Sequence, residues 1–375
     1  MTPKSLLIGL CGLFLLAFSV PAQEFDEGGR QVDIEALKQL AHRGKADAQF
    51  ELGRRLLGGE GVKKNEIEAV EWLQKAADQF HPAAMNAMGL LAGEGVGMPK
   101  DSKKAFEWFQ KAAKYGFAMA QQNLADCYEN GKGVEKDPKE SLKWLQTAAR
   151  QEFPPAETAY AWKLEHATGT EKNTHEAATW YLKAAQQGWV SAQTRLAYLY
   201  YTGIGVPLDY RRAEAWYRTA AKSEDPWAHN DLAWFLATCP DDRFHDPETA
   251  VAFARSAVDK LDGKRYEMID TLAAALARSG KFGEAVQTQM RAIVSLANDK
   301  TPPPPDASPE DRAKLEKELS ERLKLYRDQK PYTEKEPEAE SGTKPMVDDR
   351  ILMDQEPPKR KKQHKQEDNG DRPVV

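Results

Sequence analysis

Residues 120–149 read AQQNLADCYENGKGVEKDPKESLKWLQTAA, and the fold is decided by what recurs around that stretch. Trp144 stands 36 residues after Trp108 and 36 before Trp180, and the series runs on to Trp72 and Trp216. Four residues after each Trp begins an alanine pair: Ala76 and Ala77, Ala112 and Ala113, Ala148 and Ala149, Ala184 and Ala185, Ala220 and Ala221. Twenty residues before each Trp a larger apolar residue precedes a tiny one: Leu52 and Gly53, Met88 and Gly89, Leu124 and Ala125, Tyr160 and Ala161, Leu196 and Ala197. Self-similarity at one fixed period over consecutive segments is the mark of a repeat array, in which each unit buries its apolar face against its neighbours.

Within a unit the spacings are helical. Ala48, Leu52 and Leu56 step by four along one face, and Ala69, Trp72, Ala76 and Ala77 step by three and four along another, so each unit is two antiparallel helices. The tiny residue lets the second helix approach closely, and the Trp is expected to fill the gap between neighbouring pairs. A Gly-x-Gly-Val turn is read at Gly59 to Val62, Gly93 to Val96, Gly131 to Val134 and Gly203 to Val206, where a chain doubling back needs positive φ. Asn65, Asp101, Asp137, Asn173 and Asp209 share the same period and suit the first position before a second helix, with side chains that accept from free amides. Glu68, Glu140 and Glu176 stand where a capping box would place them, and Pro138 stands where its missing donor costs nothing. These acids and amides therefore have a structural explanation that a catalytic carboxylate would not add to.

The units resemble Sel1-like repeats, relatives of the tetratricopeptide repeat, through A-x-x-x-L-G, G-x-G-V, D-x-x-x-A, W-x-x-x-A-A and G-x-x-x-A over residues 45–225. The resemblance implies an all-α fold, a right-handed α-solenoid of antiparallel helix pairs, and a protein-interaction role. The fourth unit departs from the pattern, with Thr168 to Lys172 in place of the glycine turn and His166 following Trp162. Around the five repeats at 47–225, residues 31–46 read as a capping helix and 226–297 as two plainer tetratricopeptide-like pairs. After the break at Pro302 to Pro305, residues 308–328 read as an amphipathic cap with Leu315, Leu319, Leu323 and Tyr326 on one stripe. Residues 332–375, rich in Pro, Glu and Lys, read as a disordered charged tail.

At the other end, the apolar run Leu6 to Val20 behind Lys4 ends at Pro21 and Ala22. It reads as a secretory signal over 1–22, which makes the mature chain periplasmic or extracellular with no stable membrane insertion. A net charge of −5 offers no nucleic-acid surface. Cys127 and Cys239 lie in different repeats and read as small buried thiols. The chain has no CxxC pair, HExxH or clustered histidines, so no metal and no cofactor is expected.

Function then falls to positions that the packing leaves free. By analogy with tetratricopeptide geometry, the groove would be lined by Phe50 and Arg54, by Asn86, by Gln122 and Asp126, by Trp162, by Thr194, Tyr198 and Tyr201, and by Asn230 and Trp234. Trp162, Tyr198, Tyr201 and Trp234 form an aromatic strip beside polar groups, a surface suited to anchoring a protein or peptide partner. No nucleophile, base and orienter constellation is legible, so the expectation is a scaffold and not an enzyme. The alternative is an envelope enzyme or small-ligand binder of hydrolase or penicillin-binding type, as among secreted cysteine-rich relatives; that subgroup carries a cysteine pair in most repeats, and this chain does not.

Overall fold

The computed structural model describes residues 34–299 and 308–338. The signal expected at 1–22, the proline break and the tail beyond residue 338 lie outside the described residues. Within them are sixteen α-helices, one short 3-10 turn and no strand. A single helix α1 (Ile34–His42) precedes the pairs α2 (Ala46–Gly58) with α3 (Glu66–Asp78), α4 (Pro82–Glu94) with α5 (Ser102–Lys114), and α6 (Ala118–Asn130) with α7 (Pro138–Ala149). They continue as α8 (Pro154–Glu165) with α9 (Thr174–Gln186), α10 (Val190–Thr202) with α11 (Tyr210–Ala220), α12 (Pro226–Thr238) with α13 (Pro247–Lys260), and α14 (Tyr266–Arg278) with α15 (Phe282–Asn298). A last helix, α16 (Pro309–Arg327), closes the series. Each helix packs on the next, and first helices of successive units also touch, α4 on α6, α6 on α8, α10 on α12 and α12 on α14. The chain is thus an α-solenoid whose first helices form the inner wall and whose second helices form the outer one.

The close approach within a pair is where the small residues put it. A Cβ on Gly53 would stand 2.6 Å from Leu73, and one on Gly89 2.5 Å from Phe109. The group filling that space is the residue after each Trp: Leu73, Phe109, Leu145, Tyr181 and Tyr217 are all buried. The tryptophans themselves divide. Trp72 and Trp216 are buried, whereas Trp108, Trp144 and Trp180 are half-buried, because an outer helix turns one ring face toward solvent. Lysine caps that face three residues on, with Lys75, Lys111 and Lys183 at 4.0, 4.3 and 4.1 Å from the Trp72, Trp108 and Trp180 ring centres, a cation over the negative face of the π system.

Two expectations about the turns need correction. The turn of the second unit is not Gly93 to Val96: Gly93 is helical, and the left-handed residues are Gly95 (φ 77°) and Gly97 (φ 67°), in register with Gly59 and Gly61, Gly131 and Gly133, and Gly203 and Gly205. The second glycine is dictated by the neighbouring unit, since a Cβ on Gly97, Gly133, Gly169 or Gly205 would overlap the carbonyl oxygen of Glu66, Ser102, Pro138 or Thr174. That contact also keeps the fourth unit in line, where Ala167 takes φ 55° in place of the first glycine and Gly169 preserves the second. Nor do the capping boxes close as expected. Asn65, Asp101, Asp137, Asn173 and Asp209 do cap the outer helices. Their own backbone amides, however, already donate to inner-helix carbonyls nine residues back, such as Asn65 to Leu56 and Asn173 to Leu164. Glu68 and Glu176 accordingly accept from the Asn65 and Asn173 side-chain amides instead, at 3.0 and 2.9 Å.

A polar ladder also links the units. Gln49, Gln121 and Gln193, spaced by multiples of 36, donate to the Ala41, Ala113 and Ala185 carbonyls at 3.1, 3.3 and 3.1 Å. Each bond adds a second donor to a last-turn carbonyl of the preceding outer helix, which also accepts from the Gly44, Gly116 or Gly188 amide. Glu157 occupies the same register between Gln121 and Gln193 and accepts from Gln187 at 2.8 Å. Burial pushes its carboxyl up to about 7.

At the far end, α16 packs on α15 and is pinned by a buried network. Arg322 meets Asp270 of α14 through two bonds of 3.0 and 2.9 Å, and Gln289 of α15 donates to the same carboxylate at 2.8 Å. Leu319 and Tyr326 are fully buried beneath it. The chain beyond α16 departs from the disorder expected from residue 332. Its first residues lie on the helix ends, where the Glu334 amide bonds the Thr238 carbonyl and Arg278 bonds the Tyr332 carbonyl.

Candidate functional site

The inner wall differs from one end to the other. In the early units the expected groove residues are largely engaged with neighbouring side chains. Arg54 forms a bidentate pair with Glu51 at 2.8 and 2.9 Å and reaches Glu60 at 3.0 Å. Phe50 is buried and stacks on His81 at 4.8 Å, and Asn86 is buried and accepts from Asn123 at 2.8 Å. Asp126 is taken by Asn130 and Lys132 at 2.7 and 2.8 Å. Gln122 is half-buried, with its amide oxygen unpaired among the described residues.

The late units gather aromatic rings. Trp162 is half-buried and stacks on His166 at 4.4 Å. Tyr198 is half-buried, with the Arg195 guanidinium 4.6 Å from its ring centre. That Arg195 is itself buried in an ion pair with Glu165, to which the fully buried Tyr181 hydroxyl also donates at 3.1 Å. Thr194 is turned to its own helix and donates to the Ser191 carbonyl at 3.1 Å. Asn230 is buried with its amide oxygen unpaired among the described residues. Beside it Asp231 is pushed up to about 7 by burial.

Tyr201 and Trp234 are each only 7% exposed, and the cause is a segment no repeat pattern could reveal. Tyr332 to Glu334 lie across the C-terminal ends of α14, α12 and α10. Arg278 donates to the Tyr332 carbonyl at 2.6 Å and to the Thr333 hydroxyl at 2.7 Å, and to the Ala237 carbonyl of α12 at 2.7 Å. The Glu334 amide donates to the Thr238 carbonyl at 2.8 Å. The Glu334 carboxylate accepts from the Trp234 indole at 2.9 Å and from the Tyr201 hydroxyl. The Tyr332 ring stands 5.9 Å from the Trp234 ring, with Arg322 5.3 Å from its centre. Of the expected strip, then, the structure brings Tyr201 and Trp234 together on one ligand-like segment, places Tyr198 next to them and leaves Trp162 apart. It adds Arg278, a long-range contact that a 36-residue period cannot signal.

One serine hydroxyl meets a histidine ring, Ser256 with His229 at 3.0 Å, but the ring is buried between α12 and α13 and its other nitrogen meets the Ser223 carbonyl at 2.9 Å. The pair thus holds a helix end. Cys127 and Cys239 are free and buried, and burial pushes each thiol up to about 12. Among the described residues no group of acidic, histidine and cysteine side chains could hold a metal ion, and no helix is long and apolar enough to cross a membrane.

The Sel1 repeat family model matches residues 46–79, 82–116, 118–153, 154–189 and 190–225. The chain is similar to the crystal structure of a Sel1 repeat protein from Oxalobacter formigenes, with 28% identity and a TM-score of 0.55, covering 61% of this chain and 100% of that one. It is also similar to c5321, a protective antigen present in uropathogenic Escherichia coli strains displaying an SLR fold, with 26% identity and a TM-score of 0.39 over 79% and 72% of the two chains. A third likeness is to immunity protein PA5088 from Pseudomonas aeruginosa, with 22% identity and a TM-score of 0.41 over 63% and 85%. No curated protein shows significant similarity. The five matched segments coincide with the helix pairs from α2 to α11, so the chain carries five Sel1 repeats over residues 46–225.

Proposed function

We propose that this chain is an exported, non-catalytic scaffold that holds a peptide or protein partner along the inner wall of the solenoid. The Sel1 fold is commonly one of protein interaction, and one observation here supports a groove-borne partner. The late inner wall takes an extended stretch of polypeptide on Tyr201, Trp234 and Arg278, using backbone carbonyls as well as side chains. Strand-like segments gain affinity from such main-chain bonds and specificity from side-chain pockets. Export rests on the run Leu6 to Ala22.

Photo-crosslinkers placed at Gln122 and Tyr198 on the inner wall, and at Ile67 and Met290 on exposed outer positions, test the reading in the mature chain. Crosslinks are expected from the inner positions alone and should weaken with Trp162→Ala. Crosslinking confined to the outer positions would overturn the groove reading. The mature N-terminus is expected at Gln23, and an intact chain retained in the cytoplasm would overturn export.

A further inference from the structure

The site begins with a missing residue. In the first five units the inner helix ends on a left-handed residue: Gly59, Gly95, Gly131, Ala167 and Gly203. The next position in that series is Cys239, with φ −48° and Pro240 after it. The chain there leaves the helix without the left-handed cap, and the Ala237 and Thr238 carbonyls of its last turn take donors from elsewhere in the chain. Arg278 supplies one and the Glu334 amide the other.

Every contact of the seated segment is one that an unlinked strand could make. A backbone amide reaches Thr238, a carboxylate sits between an indole N–H and a phenol, and a ring two residues earlier lies near Trp234 and Arg322. Thr333, Lys335 and Glu336 are exposed, and so is the connection Asp328 to Lys330, which turns through Gln329 at φ 55°.

We propose that the end of α12, with Tyr201, Trp234 and Arg278, is a recognition site for a partner's extended segment carrying an aromatic residue two positions before a glutamate, and that the chain's own Tyr332 to Glu334 fills it until such a partner displaces them. This rests on the scaffold reading and deepens it, by naming the chemistry of the partner and a built-in competitor. A segment tethered this closely competes at an effective concentration on the order of millimolar, so a free peptide binds the intact chain weakly and an opened chain well.

The test uses the full chain and, as probe, a fluorescein-labelled peptide of residues 330–338. Opening the site with Tyr332→Ala and Glu334→Ala should tighten probe binding by about tenfold or more, and adding Trp234→Ala should abolish the gain. Glu334→Gln alone, with unchanged helicity by circular dichroism, should give an intermediate gain. Equal binding by the wild-type and opened chains, or a gain that survives Trp234→Ala, would overturn the proposal. A wild-type dimer that dissociates when Glu334 is changed would assign the segment to a second copy and overturn it equally. If the inner wall crosslinks a partner while the probe fails, only this inference falls; if the probe binds while crosslinks map to the outer wall, the scaffold reading falls and the site stands.

Discussion

The joints between the early units and the joint at the C-terminal end solve one problem in opposite ways. Between the first five units a left-handed glycine brings backbone against backbone, with Gly97, Gly133, Gly169 and Gly205 seated on carbonyls of the preceding outer helix. No side chain is needed, so the contact repeats wherever the spacing does. At the far end Asp241 stands at the position of that glycine, and long side chains take over: Arg278 bridges α14 to α12, and Arg322 ties α16 to Asp270. The difference teaches that a solenoid is made uniform by backbone contacts and made specific where they fail, because an open helix end accepts donors from anywhere in the chain.

The comparison breaks most visibly at the buried ion pair. Arg322→Ala strands the Asp270 carboxylate, which is 6% exposed at its side chain, and removal of one partner from a buried pair costs about 3–5 kcal/mol. The expected outcome is local. Hydrogen exchange should speed in α14, α15 and α16 and at the seat of Tyr332 to Glu334, while α2 to α7 keep their protection, since stability in such arrays is a sum of neighbour terms. Uniform loss of protection along the chain would mean that the two kinds of joint are not separable.

A smaller effect separates the turn from the joint. Gly61 and Gly133 are both left-handed, at φ 69° and 73°, but nothing lies within 4 Å of a Cβ at Gly61, whereas one at Gly133 meets the Ser102 carbonyl. Gly61→Ala should therefore cost only the left-handed strain, about 1–2 kcal/mol. Gly133→Ala adds overpacking of about 1–3 kcal/mol. Equal losses in urea unfolding of the two variants would show that the glycines serve the turn alone.

The early joints were largely legible in the sequence because period and small residues are local signals. The helix pairs, the N-caps and the close approach at Gly53 and Gly89 all follow from spacing. The register of the second turn was misread because Gly93, Gly95 and Gly97 offer two overlapping glycine pairs, and only the neighbour's carbonyl at Glu66 selects between them. Of the groove, Phe50 and Asn86 were named from helix register but are consumed by His81 and Asn123. Tyr201 and Trp234 were named from the same register, yet the segment that covers them lies 133 and 100 residues away, and no periodicity carries that information.

The polar ladder sharpens the comparison at its gentlest point, because Glu157 is the one acid in a register held on either side by Gln121 and Gln193. A glutamine donates to the last-turn carbonyl of the preceding helix; a carboxylate cannot unless protonated. The folded value near 7 lies above the ordinary 4.5. Below about 4.5 both the folded and unfolded chains carry the proton, and the group does not favour unfolding. Between about 4.5 and 7 the unfolded chain releases it while the folded chain retains it, so stability falls as pH rises, and above about 7 the penalty is constant. Glu157→Gln should remove that slope, leaving stability at pH 4 unchanged and raising it at pH 8 by about 1–2 kcal/mol. Denaturant midpoints at the two pH values measure this directly, and a variant with the wild-type slope would show that Glu157 remains ionised and solvated in the folded chain.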